Sequence, residues 1–144
     1  MKVRDLMLRD LTSVESEDTM RMLVETLETS ETSSVPVTDE DGKLVGVISE
    51  RDVLAAAMPK YVEMLHSASF MPNMDQLTTG LSRIAEDPVG KHMCRKVVSV
   101  DENSEDLQAA DLMLRHKLRL LPVVDGETRL VGVVRRVDLF KHVL

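Results

Sequence analysis

Aromatic side chains are almost missing from this chain of 144 residues: it has no Trp, one Tyr (Tyr61) and two Phe (Phe70 and Phe140). Stacking platforms for single-stranded nucleic acid are therefore effectively absent, and Leu, Val, Met and Ala must do the packing. Cys94 is the only cysteine, which excludes an internal disulfide and suits a reducing compartment. No stretch approaches the ~20 apolar residues of a membrane span. The start, Met1-Lys2-Val3-Arg4-Asp5, has charges where a secretion signal needs an apolar run. A soluble cytoplasmic protein with no membrane partner is the expectation. Gly-rich phosphate loops and the Gly-x-Ser-x-Gly elbow are missing as well. His66, His92, His116 and His142 lack metal-ligand spacing; each is expected on the solvated surface, and Cys94 as an inert core or interface thiol. Since no nucleophile has a base beside it, neither an enzyme nor a metal site is expected.

Charge excludes a further class. The net charge of −7 opposes a broad phosphate-binding surface, so no nucleic-acid partner is expected. The charge is also unevenly spread. Residues 1–72 hold 7 basic and 14 acidic side chains, whereas residues 73–144 hold 11 of each. The second half is locally basic around Arg115, Lys117 and Arg119, and again at Arg129, Arg135 and Arg136.

What is present is a repeat. Val35-Pro36-Val37-Thr38-Asp39 returns as Leu121-Pro122-Val123-Val124-Asp125, and Leu44-Val45-Gly46-Val47-Ile48 returns as Leu130-Val131-Gly132-Val133-Val134. Met7 returns as Met93, Ser13-Val14 as Ser99-Val100, and Asp52 as Asp138. Each pair is 86 residues apart, and 3–54 aligns on 89–140 without a gap with 13 identities in 52 pairs. A constant offset across separated clusters means duplication.

Each copy reads as one β-α-β-β-α unit. A short extended segment (Thr12-Ser13-Val14; Val97-Val98-Ser99-Val100) precedes an amphipathic helix. Met20, Leu23, Val24 and Leu27 fall on one helical stripe. Leu107, Ala110 and Leu114 are expected to serve in the second copy, with Ser104 as N-cap ahead of Glu105-Asp106. Pro36 predicts an edge strand or a strand start. A turn at Asp39-Glu40-Asp41-Gly42 leads into the apolar run 44–48, a buried strand, and a second helix begins near Ser49. The fold class is α/β (α+β), with copies at 1–58 and 89–144 joined by a helical linker over 59–88. Within the linker, Tyr61, Val62 and Leu65 predict one short helix, and Leu77, Leu81 and Ile84 another. The methionines, including Met20, Met22, Met58, Met64 and Met113, read as adaptable core filler.

The candidate site lies in Gly46-Val47-Ile48-Ser49-Glu50-Arg51-Asp52, where a strand turns into a helix. Ser49 and Asp52 have capping-box spacing with a shortened acid, which alone would account for both. The same geometry offers a hydroxyl and a carboxylate to the two hydroxyls of a ribose, beside helix N–H groups that attract phosphate oxygens.

The duplicated arrangement resembles a tandem pair of CBS domains, the modules named after cystathionine β-synthase. The carrying residues are Val3-Arg4-Asp5-Leu6-Met7 with Val89-Gly90-Lys91-His92-Met93, the two Pro-containing strands, and Gly46 to Asp52 with Gly132 to Asp138. The resemblance implies a pseudo-twofold pair of motifs. Its two clefts would bind adenosine-type ligands such as AMP, ADP, ATP or S-adenosylmethionine as regulatory ligands, with no required cofactor. Carried over, it points to Ser49 and Asp52 for ribose, with Thr12, Ser34 and Val35 lining the base pocket. Val98 and Asp138 are the second-copy counterparts. It further implies a homodimer, a flat disc of four motifs, and an effector protein that the chain does not identify.

The second copy departs from the pattern. Gly132-Val133-Val134-Arg135-Arg136-Val137-Asp138 keeps the aspartate but puts Arg135 where the hydroxyl should be, and arginine accepts no hydrogen bond. Arg135 either fills its cleft, leaving one working site, or reaches a phosphate with its planar fork; the single site is preferred. Arg119, at the position matching Ser33, raises the same alternatives beside an ordinary surface role. A regulatory ligand-binding module is the leading reading. A nucleotide-free structural or protein-interaction subunit, with Ser49 and Asp52 merely capping a helix, is the alternative.

Overall fold

A computed structural model describes residues 1–59, 75–141 and 143–144. The helix expected at Tyr61, Val62 and Leu65, together with Met64, His66 and His142, lies outside them. The elements follow the repeat. A 3-10 turn at Val3–Asp5 precedes β1 (Val14–Glu15), α1 (Met20–Ser30), β2 (Ser34–Thr38), β3 (Leu44–Ser49) and α2 (Glu50–Ala57). Then come α3 (Gln76–Ile84), α4 (Val89–His92), β4 (Val100–Asp101), α5 (Asp106–Arg115), β5 (Leu120–Val124), β6 (Leu130–Arg135) and α6 (Arg136–Phe140). Each copy has a three-stranded sheet in the order β1-β2-β3 or β4-β5-β6, the first pair parallel and the second antiparallel.

The register explains a proline that the sequence places at an edge or a strand start. Pro36 sits inside the central strand, opposite Val47. On its other side β1 pairs only with Val37 and Thr38, so at Pro36 the sheet has an open edge and no ladder bond is lost. Pro122 repeats this opposite Val133. The extended segments are also shorter than their apolar residues predict, because only Val14–Glu15 and Val100–Asp101 find a partner strand.

Two cores form, and each borrows from the other copy. Met20, Leu23, Leu27, Val35, Val37 and Ile48 pack with Ile84 of the linker and with Val89 from beyond it. Leu121, Val123, Val134, Ala109 and Met113 pack with Val3 and Met7 from the start of the chain. The segment before each first strand has thus crossed over. Backbone bonds fasten it: Val47 and Cys94 exchange N–H···O bonds of 3.0 and 2.8 Å, as Leu8 and Val133 do at 2.8 and 3.0 Å. Both glycines of the repeat are required there. A Cβ on Gly46 would stand 2.5 Å from Met93 Sδ and 3.0 Å from the Cys94 carbonyl; on Gly132 it would stand 2.6 Å from Met7 Sδ and 2.9 Å from the Leu8 carbonyl. Met7 and Met93 are therefore knobs that cross between copies. The hairpin tips also meet, Leu44 N–H donating to Thr128 O and Leu130 N–H to Gly42 O, both at 3.0 Å.

Several expectations need correction. In α5 the buried residues are Ala109 and Met113, while Leu107 and Leu114 are 77% and 81% exposed. The core-facing positions are those that the 86-residue offset assigns from Leu23 and Leu27, and the large residues lie beside them. In α1 Val24 is 44% exposed, outside an otherwise correct stripe. The N-cap position of α5 is Glu105 without a side-chain cap bond. Ser104 is instead held by its backbone, donating to Asp101 O and accepting from Val3 N–H. Cys94 is exposed: its backbone makes the inter-copy bridge while the thiol points outward. His92 is no surface histidine, since its Nε2 lies 2.8 Å from Asp87 Oδ2 and the ring is largely buried.

The linker helix α3 packs on the first copy. Ile84 is buried in its core, whereas Leu77 and Leu81 stay partly exposed. Arg83 donates to the Ala56 and Ala57 carbonyls at 3.1 and 3.4 Å, closing the C-terminus of α2.

Candidate functional site

The candidate site lies at the end of the first sheet where β3 becomes α2. Ser34 pairs directly with Ser49 across β2 and β3. Continuing the β1 register back by two residues sets Thr12, which is exposed, level with Val35. Ser49 is the N-cap of α2 in a complete capping box: its Oγ accepts the Asp52 N–H at 3.3 Å, and Asp52 Oδ2 accepts the Ser49 N–H at 2.9 Å. Ser49 Oγ also donates to Asp52 Oδ2 at 3.0 Å. Asp52 Oδ1 bonds nothing among the described residues. Ser49 and Asp52 are each half-buried. A hydroxyl and a half-used carboxylate thus share a helix N-terminus, with Ser34 and Thr12 alongside. Val35 is buried in the core, so only its backbone can face a cleft.

The second copy has the same backbone and different chemistry. Leu120 pairs with Arg135, where Ser34 pairs with Ser49. Asp138 Oδ2 accepts the Arg135 N–H at 2.8 Å, which keeps one half of the box; the other half is gone because arginine carries no acceptor. The guanidinium folds back instead, Nε to Oδ2 at 3.2 Å and one terminal nitrogen to Oδ1 at 2.9 Å. Lys141 Nζ adds a contact of 3.0 Å to Oδ1. Four donors saturate the carboxylate, and Asp138 is fully buried. Lys141, one helical turn on, was not among the sequence candidates, although its i, i+3 spacing from Asp138 could have flagged it. Arg119 is exposed with no polar partner among the described residues, and Val98 is half-buried against the second core.

Burial pushes the Asp138 carboxyl up, but bonds from the Arg135 side chain and backbone and from Lys141 outweigh it and hold the pKa at about 2. A carboxylate with a lowered folded-state pKa stabilises the fold above its unfolded pKa. That contribution is lost as pH falls from about 4 to about 2. Both cations are nearly half exposed, so solvent screening reduces it to roughly 1–2 kcal/mol. Acid unfolding followed by circular dichroism should show Asp138→Asn losing that much less stability than wild type between pH 5 and pH 2. Equal losses would mean that the pair contributes nothing.

Among the described residues no group of three or more His, Cys, Asp or Glu side chains can hold a metal, and no helix is long and apolar enough to cross a membrane.

Two β-α-β-β-α motifs with exchanged leading segments and a capped aspartate at each strand-to-helix turn define a tandem-motif module. The CBS domain family model matches residues 3–59 and 89–144, and the chain belongs to that family. It is 27% identical to an uncharacterised protein of Methanocaldococcus jannaschii, covering all of this chain and 92% of that one. It is 31% identical to the chloroplastic CBS domain-containing protein CBSX1 of Arabidopsis thaliana, over 94% of this chain and 60% of that one. A match of 28% identity to inosine-5'-monophosphate dehydrogenase of M. jannaschii spans 98% of this chain but 23% of the enzyme. Among solved structures, CBSX2 in complex with AMP superposes with a TM-score of 0.73 at 26% identity, covering 98% of this chain and 94% of that one.

Proposed function

We propose that this chain is a regulatory module binding one adenosine-type ligand, at Ser49 and Asp52. The observation that carries the reading is the contrast between the two aspartates. Asp52 has one carboxylate oxygen bonded within its cap and one without a partner among the described residues, whereas Asp138 has both oxygens occupied by Arg135 and Lys141. A ribose offers two adjacent hydroxyls, which such a carboxylate oxygen and a neighbouring hydroxyl can hold while the α2 N-terminus faces phosphate. The AMP complex of CBSX2 supports the ligand class. Thr12, Ser34 and the Val35 backbone would border the base, and Val98 and Arg119 would border the second, closed position. Binding between motifs that already exchange segments would bias their relative placement, which an effector protein or a second copy would read. We further infer that the chain works as a homodimer in the cytoplasm.

Thermal melts with AMP, ATP and S-adenosylmethionine test the ligand. At 100 times Kd, linkage gives about 2.7 kcal/mol, several degrees in Tm. Wild type should shift and Asp52→Ala should not. A wild type unmoved by all three would favour the nucleotide-free interaction subunit.

A further inference from the structure

The first sheet carries a second concavity, at the end away from Ser49. The β1–α1 turn and the segment that crosses from the second copy enclose an open cavity of about 460 Å³. Val45, in its lining, lies at the start of β3 and Ser49 at its end, roughly 13 Å apart along the strand. Val45 and Met93, both packed on the first core, form its apolar floor with Pro88. Ser16 and Glu17 border it from the turn, Lys91 and Arg95 from the crossing segment. These polar groups are lightly used. Arg95 gives one guanidinium bond to the Gly90 carbonyl, at 3.2 Å, and meets no carboxylate among the described residues. Lys91 Nζ stands 3.7 Å from Asp87 Oδ2, an oxygen that His92 already holds at 2.8 Å. Ser16 is half-buried, and its Oγ has no hydrogen-bond partner among the described residues. The set belongs to the first copy alone: the 86-residue offset puts Glu102 at Ser16, Arg4 at Gly90 and Asp5 at Lys91. An apolar floor with a few convergent polar groups is the usual make-up of a small-molecule site.

We propose that this cavity binds a small monocarboxylate with an apolar body, at a site separate from that of the adenosine-type ligand. The planar fork of Arg95 matches a carboxylate, Lys91 adds a point charge, and Ser16 Oγ adds a further donor. Glu17 selects the charge of the ligand. With it the lining carries one net positive charge, which a carboxylate balances and the nearly two negative charges of a phosphate monoester exceed. An aliphatic body covers Val45, Pro88 and Met93. One wall of the cavity comes from each copy, so the bound acid ties the crossing segment to the β1–α1 turn.

The test uses the full chain with isotope-labelled methionine methyl groups, titrated with isocaproate at constant ionic strength and without nucleotide. In NMR spectra the Met93 methyl resonance should shift saturably, in wild type and equally in Asp52→Ala, while that of Met113, in the second core, stays still. Arg95→Gln should weaken binding at least tenfold and Lys91→Gln severalfold, both with unchanged Tm because the two side chains are exposed. Isocaproamide, which has the same shape without the charge, should leave Met93 unmoved, and inorganic phosphate should not compete. No saturable shift, an equal response to the amide, undiminished affinity in Arg95→Gln, or displacement by phosphate would each overturn the proposal. Asp52 takes no part in this cavity, so a failure of the adenosine-type ligand to bind would leave the result standing.

Discussion

Gly80→Ala should destabilise the fold by about 3 kcal/mol, roughly 10 °C in Tm. The sign decides the matter, because in an exposed helix the same change stabilises by about 1 kcal/mol through helix propensity. At Gly80 a Cβ would stand 1.8 Å from the Ala57 carbonyl oxygen and 2.7 Å from its carbon. Those are backbone atoms at the end of α2, so no side-chain rotation relieves the overlap and α3 must lift off the first copy. Ile84, on the same helix, is fully buried in the first core and would be drawn out with it. Chemical denaturation of Gly80→Ala beside Ser82→Ala, an exposed position on α3, separates the contact from propensity. An unchanged or raised midpoint for Gly80→Ala would mean that α3 does not pack on α2.

The second large effect is a gain. Arg135→Ser should raise ligand capacity from one to two per chain in calorimetric titration. The substitution removes the guanidinium from both oxygens of Asp138 and restores the hydroxyl that completes the cap in the first copy. Lys141 alone then contacts Oδ1, through a flexible stem that a bound ribose can displace. Affinity should remain weaker than at the first site by about tenfold, or 1.4 kcal/mol, because Leu120 stands where Ser34 supplies a hydroxyl. A capacity that stays at one would show that Arg119 or Leu120, rather than Arg135, closes the second position.

Much of this was legible in the chain itself. The 86-residue offset defines the paired motifs, and Ser49 with Asp52 stands out at a strand-to-helix turn that the structure closes as a capping box. The exchange of leading segments was not legible, because periodicity describes which face of an element is apolar and not which partner it meets. Met7 and Gly132 are far apart in sequence, yet the pairing was encoded: each copy keeps both a methionine and a glycine, and each methionine fills the space over the other copy's glycine. Leu107 and Leu114 misled for a related reason. They are large and apolar, but the register inherited from Leu23 and Leu27 falls on Ala109 and Met113, which leaves the leucines facing outward. The saturation of Asp138 needed coordinates, since a sequence shows that Arg135 lacks an acceptor but not that it turns back on its own helix.

Native mass spectrometry of the wild-type chain with AMP, ATP or S-adenosylmethionine tests the central claim most directly. One of these should add a single ligand mass per chain, absent from Asp52→Ala and retained in Asp138→Ala. Two ligands per chain, or one that survives Asp52→Ala, would contradict the assignment of the site to the first copy.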